Sequence, residues 1–309
     1  MTEKLLTIFS APKPFRDDHI ITIQRNAVRS WKALGDDKVD ILLLGADEGI
    51  DCHAAELGVG HIQNVRCNQQ GTPLISSMLQ IARDASNARF LGIVNTDIIL
   101  FPDLLNSLRT VSQVLDEFVL IGQRWDMDIQ EELQFGDGQF RKFKEAVFQR
   151  GKLHQPMGSD YFIFPRSCYQ DIPDLAIGRA GWDNWFIFKS RWEGWPLLDA
   201  TRDITIVHQN HDYRHLPGGQ PHYRLPETYE NVRLGGGDHT IFTIYDAQYW
   251  LAKGKIIRKK MSLKKFIREI EVFPLTRLRS HFLGKLIFYL FRPKKAYADF
   301  RRKITPPAH

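Results

Sequence analysis

The chain has 309 residues, of which 43% are hydrophobic and 25% charged, and its formal net charge is +6. This apolar content suffices for one large core or two modest ones, which excludes a disordered chain. The three cysteines, Cys52, Cys67 and Cys168, are odd in number and widely spaced, which argues against a disulfide framework and a zinc cluster. The cysteine usage fits a protein of the reducing cytoplasm. The apolar run at the start breaks at Pro12, so we expect a first strand there and neither a signal peptide nor a membrane anchor.

Apolar runs alternate with amphipathic segments along the first part of the chain. Strands that are apolar on both faces and separated by helices indicate a parallel sheet covered on both sides. We therefore expect an α/β, doubly wound domain. In chain order, the predicted elements are a strand over 4–9, a helix over 19–34, a strand over 39–44, a helix from Pro73 to about Ala85, a strand over 90–94 and a helix from Pro102 to about Asp116.

The segment Asn95-Thr96-Asp97 follows the predicted strand over residues 90–94. Ligands of such sheets bind beyond the carboxyl ends of the strands. A carboxylate at that position can face a cleft and hold a cation, whereas one buried in mid-strand would be costly without a partner. The alternative is that Asp97 caps a turn before the helix that begins at Pro102.

Three later stretches place polar residues beside apolar runs. Residues 158–166 read GSDYFIFPR, residues 178–187 read GRAGWDNWFI, and residues 199–215 end an apolar run in several histidines. Together with Asn95-Thr96-Asp97, their order and spacing resemble the GT-A-fold glycosyltransferases, family-2-like enzymes that use nucleotide sugars. The resemblance covers residues 4 to about 215. It implies a Rossmann-like GT-A fold, with a central, mostly parallel sheet flanked by helices.

The resemblance also implies roles for individual residues. In that family a D-x-D motif holds a divalent metal against the donor diphosphate, and Asn95-Thr96-Asp97 resembles this motif with Asn in first place. Asp97 and His208 are the implied ligands of Mn²⁺ or Mg²⁺, although the Asn leaves strict metal dependence open. Some members use an acidic pair at a helix start as the base, and Gly181-Trp182-Asp183-Asn184 resembles that element with its second acid replaced by Asn184.

The chemistry of glycosyl transfer calls for these residue types. A nucleoside diphosphate leaving group gains negative charge, which a cation held by Asp97 and His208 can neutralise. The acceptor hydroxyl must lose a proton, for which Asp183 is the candidate general base. We expect Trp182, Asn184 and Trp185 to bind the acceptor. The alternative for Asp183 is a helix N-cap.

A further group of residues is predicted to bind the donor. Residues that follow the first strand would meet the base or ribose, nearby cations would meet phosphate, and Asp160 would bind hydroxyls of the donor sugar. Each of these residues also has a structural alternative, such as a turn role for Asp160. The predicted donor-binding residues are Ser10, Ala11, Pro12, Lys13, Arg66, Asn95 and Asp160.

We therefore expect a glycosyltransferase that moves a hexosyl or pentosyl group from a UDP- or GDP-type donor to a hydroxyl of a saccharide or lipid-linked acceptor. Because a positioned base suits direct displacement, we expect inversion at the transferred sugar. A non-catalytic sugar-nucleotide or glycan-binding protein would also explain the reduced acidic motifs. The histidines His208, His211, His215 and His222 raise a third hypothesis, a metal hydrolase, although HExxH is absent from the sequence.

Charge is unevenly distributed along the chain. Residues 253–303 hold 17 Lys or Arg against three acids, a local balance of +14 that leaves −8 for the rest. We predict a GT-A-like domain over 1–252 and a basic amphipathic helical region over 253–309, whose run 282–291 is too short to span a bilayer. Residues 253–303 would make the protein peripheral on the cytoplasmic face of an anionic membrane. The alternative is a helix pair packed on the acidic body, and the sequence contains no nucleic-acid-reading module.

Overall fold

The computed structural model describes residues 4–212 and 222–304, in which strands and helices alternate. The strands are β1 (Leu6–Ser10), β2 (Val39–Leu44), β3 (Gly60–Ile62), β4 (Phe90–Val94), β5 (Ile98–Leu100), β6 (Val119–Ile121), β7 (Trp125–Met127), β8 (Lys152–Leu153), β9 (Tyr161–Pro165), β10 (Leu197–Asp199), β11 (Ile206–Gln209), β12 (Tyr249–Ala252) and β13 (Lys255–Arg258). The α-helices are α1 (Asp18–Lys32), α2 (Ile50–Leu57), α3 (Ile75–Ala85), α4 (Asp103–Ser112), α5 (Asp137–Arg150), α6 (Trp182–Glu193), α7 (Pro226–Leu234), α8 (Leu263–Thr276), α9 (His281–Phe291) and α10 (Pro293–Ile304).

The larger sheet of the described residues has nine strands in the order β13-β12-β10-β6-β9-β4-β1-β2-β3. Its neighbours run parallel except that β9 is antiparallel to β4 and β6, and β13 is antiparallel to β12. Leu6 and Ile8 join a core with α1, α2 and α4 on one face, while Phe9 joins a core with α3 and α6 on the other. Helices therefore cover both faces, and the predicted α/β fold class with a mostly parallel sheet is confirmed.

Local sequence explains where α1 begins and how it packs. Asp17 is the N-cap and its carboxylate accepts hydrogen bonds from the backbone N–H groups of His19 and Ile20. Buried residues recur at helical spacing along one face, and among them Trp31 donates its indole N–H to the carbonyl of Ile98 over 2.9 Å. This bond fixes the helix beside the segment that follows Asp97.

A second sheet of four strands, in the order β5-β11-β7-β8, lies beside the carboxyl end of β4. In this sheet His208 on β11 is opposite Ile98 on β5 and Asp126 on β7. The small sheet therefore brings three distant parts of the sequence together next to Asp97.

The segment around the predicted domain boundary forms a β-hairpin. The predicted boundary after residue 252 falls inside the hairpin of β12 and β13, so residues 255–258 belong to the larger sheet. The helices of this region, α8, α9 and α10, start only at Leu263. None of the described helices combines the length and the apolar content that crossing a lipid bilayer would need.

Candidate active site

Asp97 lies in the turn between β4 and β5, where the two sheets meet. The N–H of Ile98 donates to the carbonyl of Asn95 over 3.1 Å, and the N–H of Gln209 donates to the carbonyl of Asp97 over 3.1 Å. The Asp97 side chain is largely buried, with 7% of the residue exposed. Both strands therefore hold the carboxylate at the carboxyl end of β4, the position expected for a ligand site.

Cationic and imidazole groups surround this carboxylate. Lys13 Nζ donates to Asp97 Oδ2 over 2.9 Å, and His211 Nε2 lies 3.1 Å from the same oxygen. The backbone of Lys13 is clamped by Gln24, which accepts from its N–H and donates to its carbonyl. Burial by itself raises the pKa of Asp97, but Lys13 and the two histidines outweigh burial and hold that pKa well below its ordinary value. Asp97 is therefore ionised and can bind a cation.

Asp97, His208 and His211 fit a divalent metal ion. One ligand atom from each lies within 4.8 Å of the others. Asp97 Oδ1 is buried and has no hydrogen-bond partner among the described residues, while His208 Nδ1 lies 3.3 Å from Asp126 Oδ1. Buried polar atoms rarely stay unpaired, and carboxylate oxygen with imidazole nitrogen is a donor set for Mn²⁺ or a similar cation.

A second polar group adjoins the first. Arg124 donates through Nη1 to both oxygens of Asp160, at 2.9 and 3.0 Å, and through Nε to Asp126 over 2.8 Å. Asn95 also donates to Asp160, and His154 Nδ1 lies 2.7 Å from Asp126. Burial raises the pKa of Asp126, but the neighbouring histidines and Arg124 lower it below its ordinary range. Asn95 and Asp160, both predicted to bind the donor, therefore share one network with Arg124.

Asp183 lies in the first turn of α6 and is half-buried. The N-cap is Gly181, with a φ of 99° that favours glycine, so the alternative that Asp183 caps the helix is wrong. Burial, with a smaller contribution from Asp160, raises the pKa of Asp183 to about 6 against backbone hydrogen bonds that lower it. A carboxylate with this pKa accepts a proton near neutral pH, as a general base must.

The predicted acceptor-binding residues around Asp183 have structural roles. Trp182 and Trp185 are 4% and 7% exposed, and the ring of Trp182 packs on Phe162 and Phe186 in the core. Asn184 donates its amide N–H groups to the carbonyls of Met157 and Phe242. The two rings therefore fill the core and the amide tethers the loop that precedes β9, while acceptor binding by these three side chains stays a prediction.

The predicted donor-binding residues near β1 are wholly or partly buried in the fold. The hydroxyl of Ser10 is buried and donates to the carbonyl of Val94, so it joins β1 to β4. Pro12 is buried and Ala11 half-buried. Lys13 reaches Asp97, as described above, and so is the residue of this segment whose charged group lies at the site.

Arg66 is not drawn to the site either. Its guanidinium donates to both oxygens of Asp174, at 2.7 and 2.9 Å, and this ion pair is exposed. No contact joins Arg66 to Asp97 among the described residues, and phosphate binding by Arg66 stays a prediction.

Two of the four histidines named for the metal-hydrolase hypothesis lie close together. His208 and His211 approach each other and Asp97. His215 lies outside the described residues. His222 begins a short 3₁₀ helix over residues 222–224, but the structure describes only its backbone and not its side chain. Among the described residues, the group that could hold a metal joins two histidines to Asp97 and not four histidines to one another.

A large groove lies apart from this constellation. Its cavity volume is about 1070 Å³, and it runs between the sheet and α8, bounded by Gln123, Thr201, Trp250 and Arg268 among others. Neither Asp97 nor Asp183 lines it. Gln123 nevertheless donates to the carbonyl of His154, in the segment leading to Gly158, so the groove adjoins the loop that contacts Asp183.

Comparisons with known proteins give similar solved structures. No protein-family model and no curated protein matches the sequence. A structure of S. aureus TarS residues 1–349 with UDP-GlcNAc has 13% identity and a TM-score of 0.46, covering 75% of this chain and 65% of that one, less than two thirds of its length. Glucosyl-3-phosphoglycerate synthase from Mycobacterium tuberculosis with Mg²⁺ and UDP has 14% identity and a TM-score of 0.42, covering 67% and 72%. Likenesses at these values transfer neither substrate nor activity to this chain.

Proposed function

We propose that the protein is a glycosyltransferase that transfers a sugar from a UDP- or GDP-type nucleotide sugar to an acceptor hydroxyl with inversion. The observation that carries the proposal is that two carboxylates have pKa values shifted in opposite directions by their surroundings. Asp97 is kept ionised beside Lys13 and two histidines, while Asp183 has its pKa raised to about 6. Such a difference in pKa supports separate roles for the two groups, with Asp97 binding the cation and Asp183 acting as the base.

The residues around Asp97 suit the diphosphate of the donor. Lys13 Nζ lies 2.9 Å from Asp97 Oδ2 and 2.8 Å from His211 Nε2, so an arriving phosphate could bind this ammonium group beside the metal ligands. Asp97, His208 and His211 would hold the divalent cation, Mn²⁺ or Mg²⁺. When bound, such a cation neutralises the charge that develops on a diphosphate leaving group.

Asp183 takes the proton from the acceptor hydroxyl in this proposal. Its half-buried carboxylate sits between the helix start and Gly158, on a different element from Asp97. Arg124 orients Asp160 and Asn95 at the edge of the donor site, where hydroxyls of the donor sugar could bind. The acceptor is a saccharide or a lipid-linked saccharide. The free thiols of Cys52, Cys67 and Cys168 agree with a cytoplasmic protein.

Thermal unfolding with nucleotides tests the donor site. We expect UDP or GDP, with Mn²⁺ or Mg²⁺, to stabilise the wild type by about 2.7 kcal/mol at 100 times the dissociation constant. Asp97→Ala should lose this stabilisation. Asp40→Ala is the matched control, because Asp40 is an ion-paired carboxylate near the amino end of β2, whereas Asp97 lies beyond the carboxyl end of β4. If no nucleotide stabilises the wild type, the proposed donor site is wrong.

Product analysis tests the catalytic part of the proposal. Asp183→Asn should bind the nucleotide like wild type and lose transfer, whereas Glu193→Gln, which removes an acid from the last turn of the same helix, should keep both. The anomeric configuration of the product, read by NMR, decides between inversion and retention. Nucleotide binding without turnover in the wild type would favour the non-catalytic binding protein instead.

A further inference from the structure

Helix α8 contacts the rest of the protein through its charged face. Lys265 Nζ donates to the carbonyl of Ala247 over 3.0 Å, and Arg268 Nε pairs with Asp246 over 2.7 Å. Glu269 accepts from the buried Arg191 of α6 over 2.8 Å. The buried apolar residues of α8, Val272, Pro274 and Leu275, are confined to its C-terminal part. Along most of its length the helix is thus held by ion pairs and hydrogen bonds.

The apolar stripe of α8 faces solvent as a result. Five large apolar side chains of this helix are between 44% and 75% exposed. Their spacing along the sequence puts them on one side of the helix. A helix on the surface of a globular protein normally buries this stripe and exposes its charges, so α8 is inverted with respect to the usual arrangement. These residues are Leu263, Phe266, Ile267, Ile270 and Phe273.

Helix α9 extends the exposed apolar surface. Phe282, Leu286 and Leu290 are spaced by four residues and are 78%, 57% and 70% exposed. On the opposite side of α9, Gly284 lies so close to Leu275 of α8 that a methyl group there would overlap its side chain. The two helices therefore pack together while both turn apolar side chains outward. We call these eight exposed residues of α8 and α9 the apolar face.

The acids and the cations of residues 253–303 differ in how they are paired. The three acids of residues 253–303 all take part in ion pairs: Glu269 with Arg191, Glu271 with Arg292, and Asp299 with Lys295. Several cations of the same region are instead exposed. These exposed cations include Lys260, Lys264, Arg277, Lys285 and Lys294.

We propose that the apolar face binds the surface of an anionic lipid bilayer, with its side chains among the acyl chains and the surrounding cations at the headgroups. Exposed apolar area of this extent on two helices that pack together marks an interaction site. A second copy of the chain would bring two positively charged rims together, which is unfavourable, whereas anionic headgroups neutralise them. The proposal does not depend on the transferase function, because binding is measured without donor or acceptor.

Vesicle sedimentation with the full chain tests the proposal. We expect binding to vesicles of phosphatidylcholine mixed with phosphatidylglycerol to be at least about tenfold stronger than to phosphatidylcholine alone, and to weaken at high salt. The variant Phe266→Ser/Ile270→Ser/Phe282→Ser/Leu286→Ser should bind anionic vesicles at least about tenfold less. Since all four side chains are exposed, its melting temperature should match the wild type.

Two further variants complete the experiment. Val114→Ser/Tyr229→Ser removes apolar side chains that are 71% and 69% exposed outside the apolar face, and should bind like wild type. Arg277→Gln/Lys285→Gln/Lys294→Gln should lose most of the salt-sensitive part of binding.

Three results would overturn the proposal. One is equal binding of wild type and the four-residue variant, and another is equal binding of wild type to neutral and anionic vesicles. The third is a wild-type dimer in analytical ultracentrifugation that the four-residue variant abolishes, with no recruitment to vesicles, which would assign the face to a second copy of the chain.

Discussion

Gly158 lies directly against the carboxylate of Asp183, so close that a side-chain methyl group at position 158 would overlap Asp183 Oδ2. Gly158→Ala should therefore displace the proposed base without removing it. Because small misplacements of a catalytic group can cost about 100-fold, we expect kcat to fall by roughly 10- to 100-fold with nucleotide affinity unchanged. Steady-state kinetics and nucleotide titration measure the two quantities.

Gly138→Ala is the matched control for this change. Gly138 lies in α5, and an added methyl group there would meet nothing within 4 Å. Alanine also favours a helix over glycine, so this variant should be as active as wild type and at least as stable. If Gly158→Ala retained full kcat, Asp183 could not be the base in the position that the structure gives it.

The raised pKa of Asp183 predicts a pH dependence of transfer. The base must be ionised to accept the acceptor proton, so kcat/KM should rise with pH and level off above a midpoint near 6, the pKa of that carboxyl. An unperturbed aspartate would place this midpoint near 3.8. Rates measured between about pH 4.5 and about pH 8 distinguish the two. A profile that is flat over this range would exclude Asp183 as the titrating base.

The raised pKa of Asp183 also predicts that its ionised form lowers the free energy of unfolding. A carboxyl whose pKa is raised from 3.8 to about 6 on folding stabilises the fold fully below pH 3.8, and this contribution is lost as pH rises through about 6. The shift corresponds to at most about 3 kcal/mol, which partial exposure of the side chain reduces to about 1–2 kcal/mol.

Asp183→Asn should therefore be more stable than wild type by about 1–2 kcal/mol at pH 8 and show no gain at pH 4. Glu193→Gln, on the same helix but in an ion pair with Lys189, should show no gain at either pH. Chemical denaturation at the two pH values checks both variants. A loss of stability in Asp183→Asn at pH 8 would mean that its hydrogen bonds outweigh the cost of its burial.

Apolar patterns predict three strands of the larger sheet and none of the smaller one. The predicted strands over 39–44 and 90–94 coincide with β2 and β4, because continuous apolar runs bounded by turns specify buried strands. The strands β5 and β7 have three residues each, too few for a period to be visible. The helix α5, over Asp137–Arg150, is likewise absent from the predicted elements. Pairing among such short strands depends on tertiary contacts that a single sequence does not display.

Some residues of the candidate site are predictable from the sequence and others are not. Asp97 could be placed because it ends a strong apolar run, and His208 because the run over 204–207 precedes it. Arg124 and Asp126 belong to no motif, and they reach the site only through the register of β7 against β11. Trp182 and Trp185 stand beside an acid, which predicts acceptor binding, but their spacing of three residues, with Phe186 following, is also that of a buried helix face.

Arg124 should be the main structural support of the site. Removing its guanidinium in Arg124→Met leaves Asp126 and Asp160, about one fifth exposed, without their shared cation. We expect a loss of about 2–3 kcal/mol in the free energy of unfolding. Arg124→Lys should recover only part of it, since an ammonium group cannot bridge both carboxylates as the planar fork does.

The control for Arg124 is Arg233→Gln. Arg233 forms its ion pair with Glu230 on an exposed face of α7, and its removal should leave the melting temperature unchanged. If Arg124→Met melted like the wild type, the network around Asp160 would carry no stability, and orientation of Asn95 and Asp160 would need another source.

Lys13 and a divalent cation should compete for Asp97. Lys13 Nζ lies 2.9 Å from Asp97 Oδ2, next to the atoms that could hold the metal. Removing the ammonium charge in Lys13→Met relieves its repulsion of an incoming cation, so we expect Mn²⁺ alone to bind roughly tenfold more tightly. Nucleoside diphosphate should bind more weakly in the same variant, because Lys13 is proposed to contact it. Calorimetric titration with the metal and then with the nucleotide separates the two effects, and Lys4→Met, which breaks the surface pair with Asp40, should change neither. Weaker Mn²⁺ binding in Lys13→Met would instead show that Lys13 positions the metal ligands.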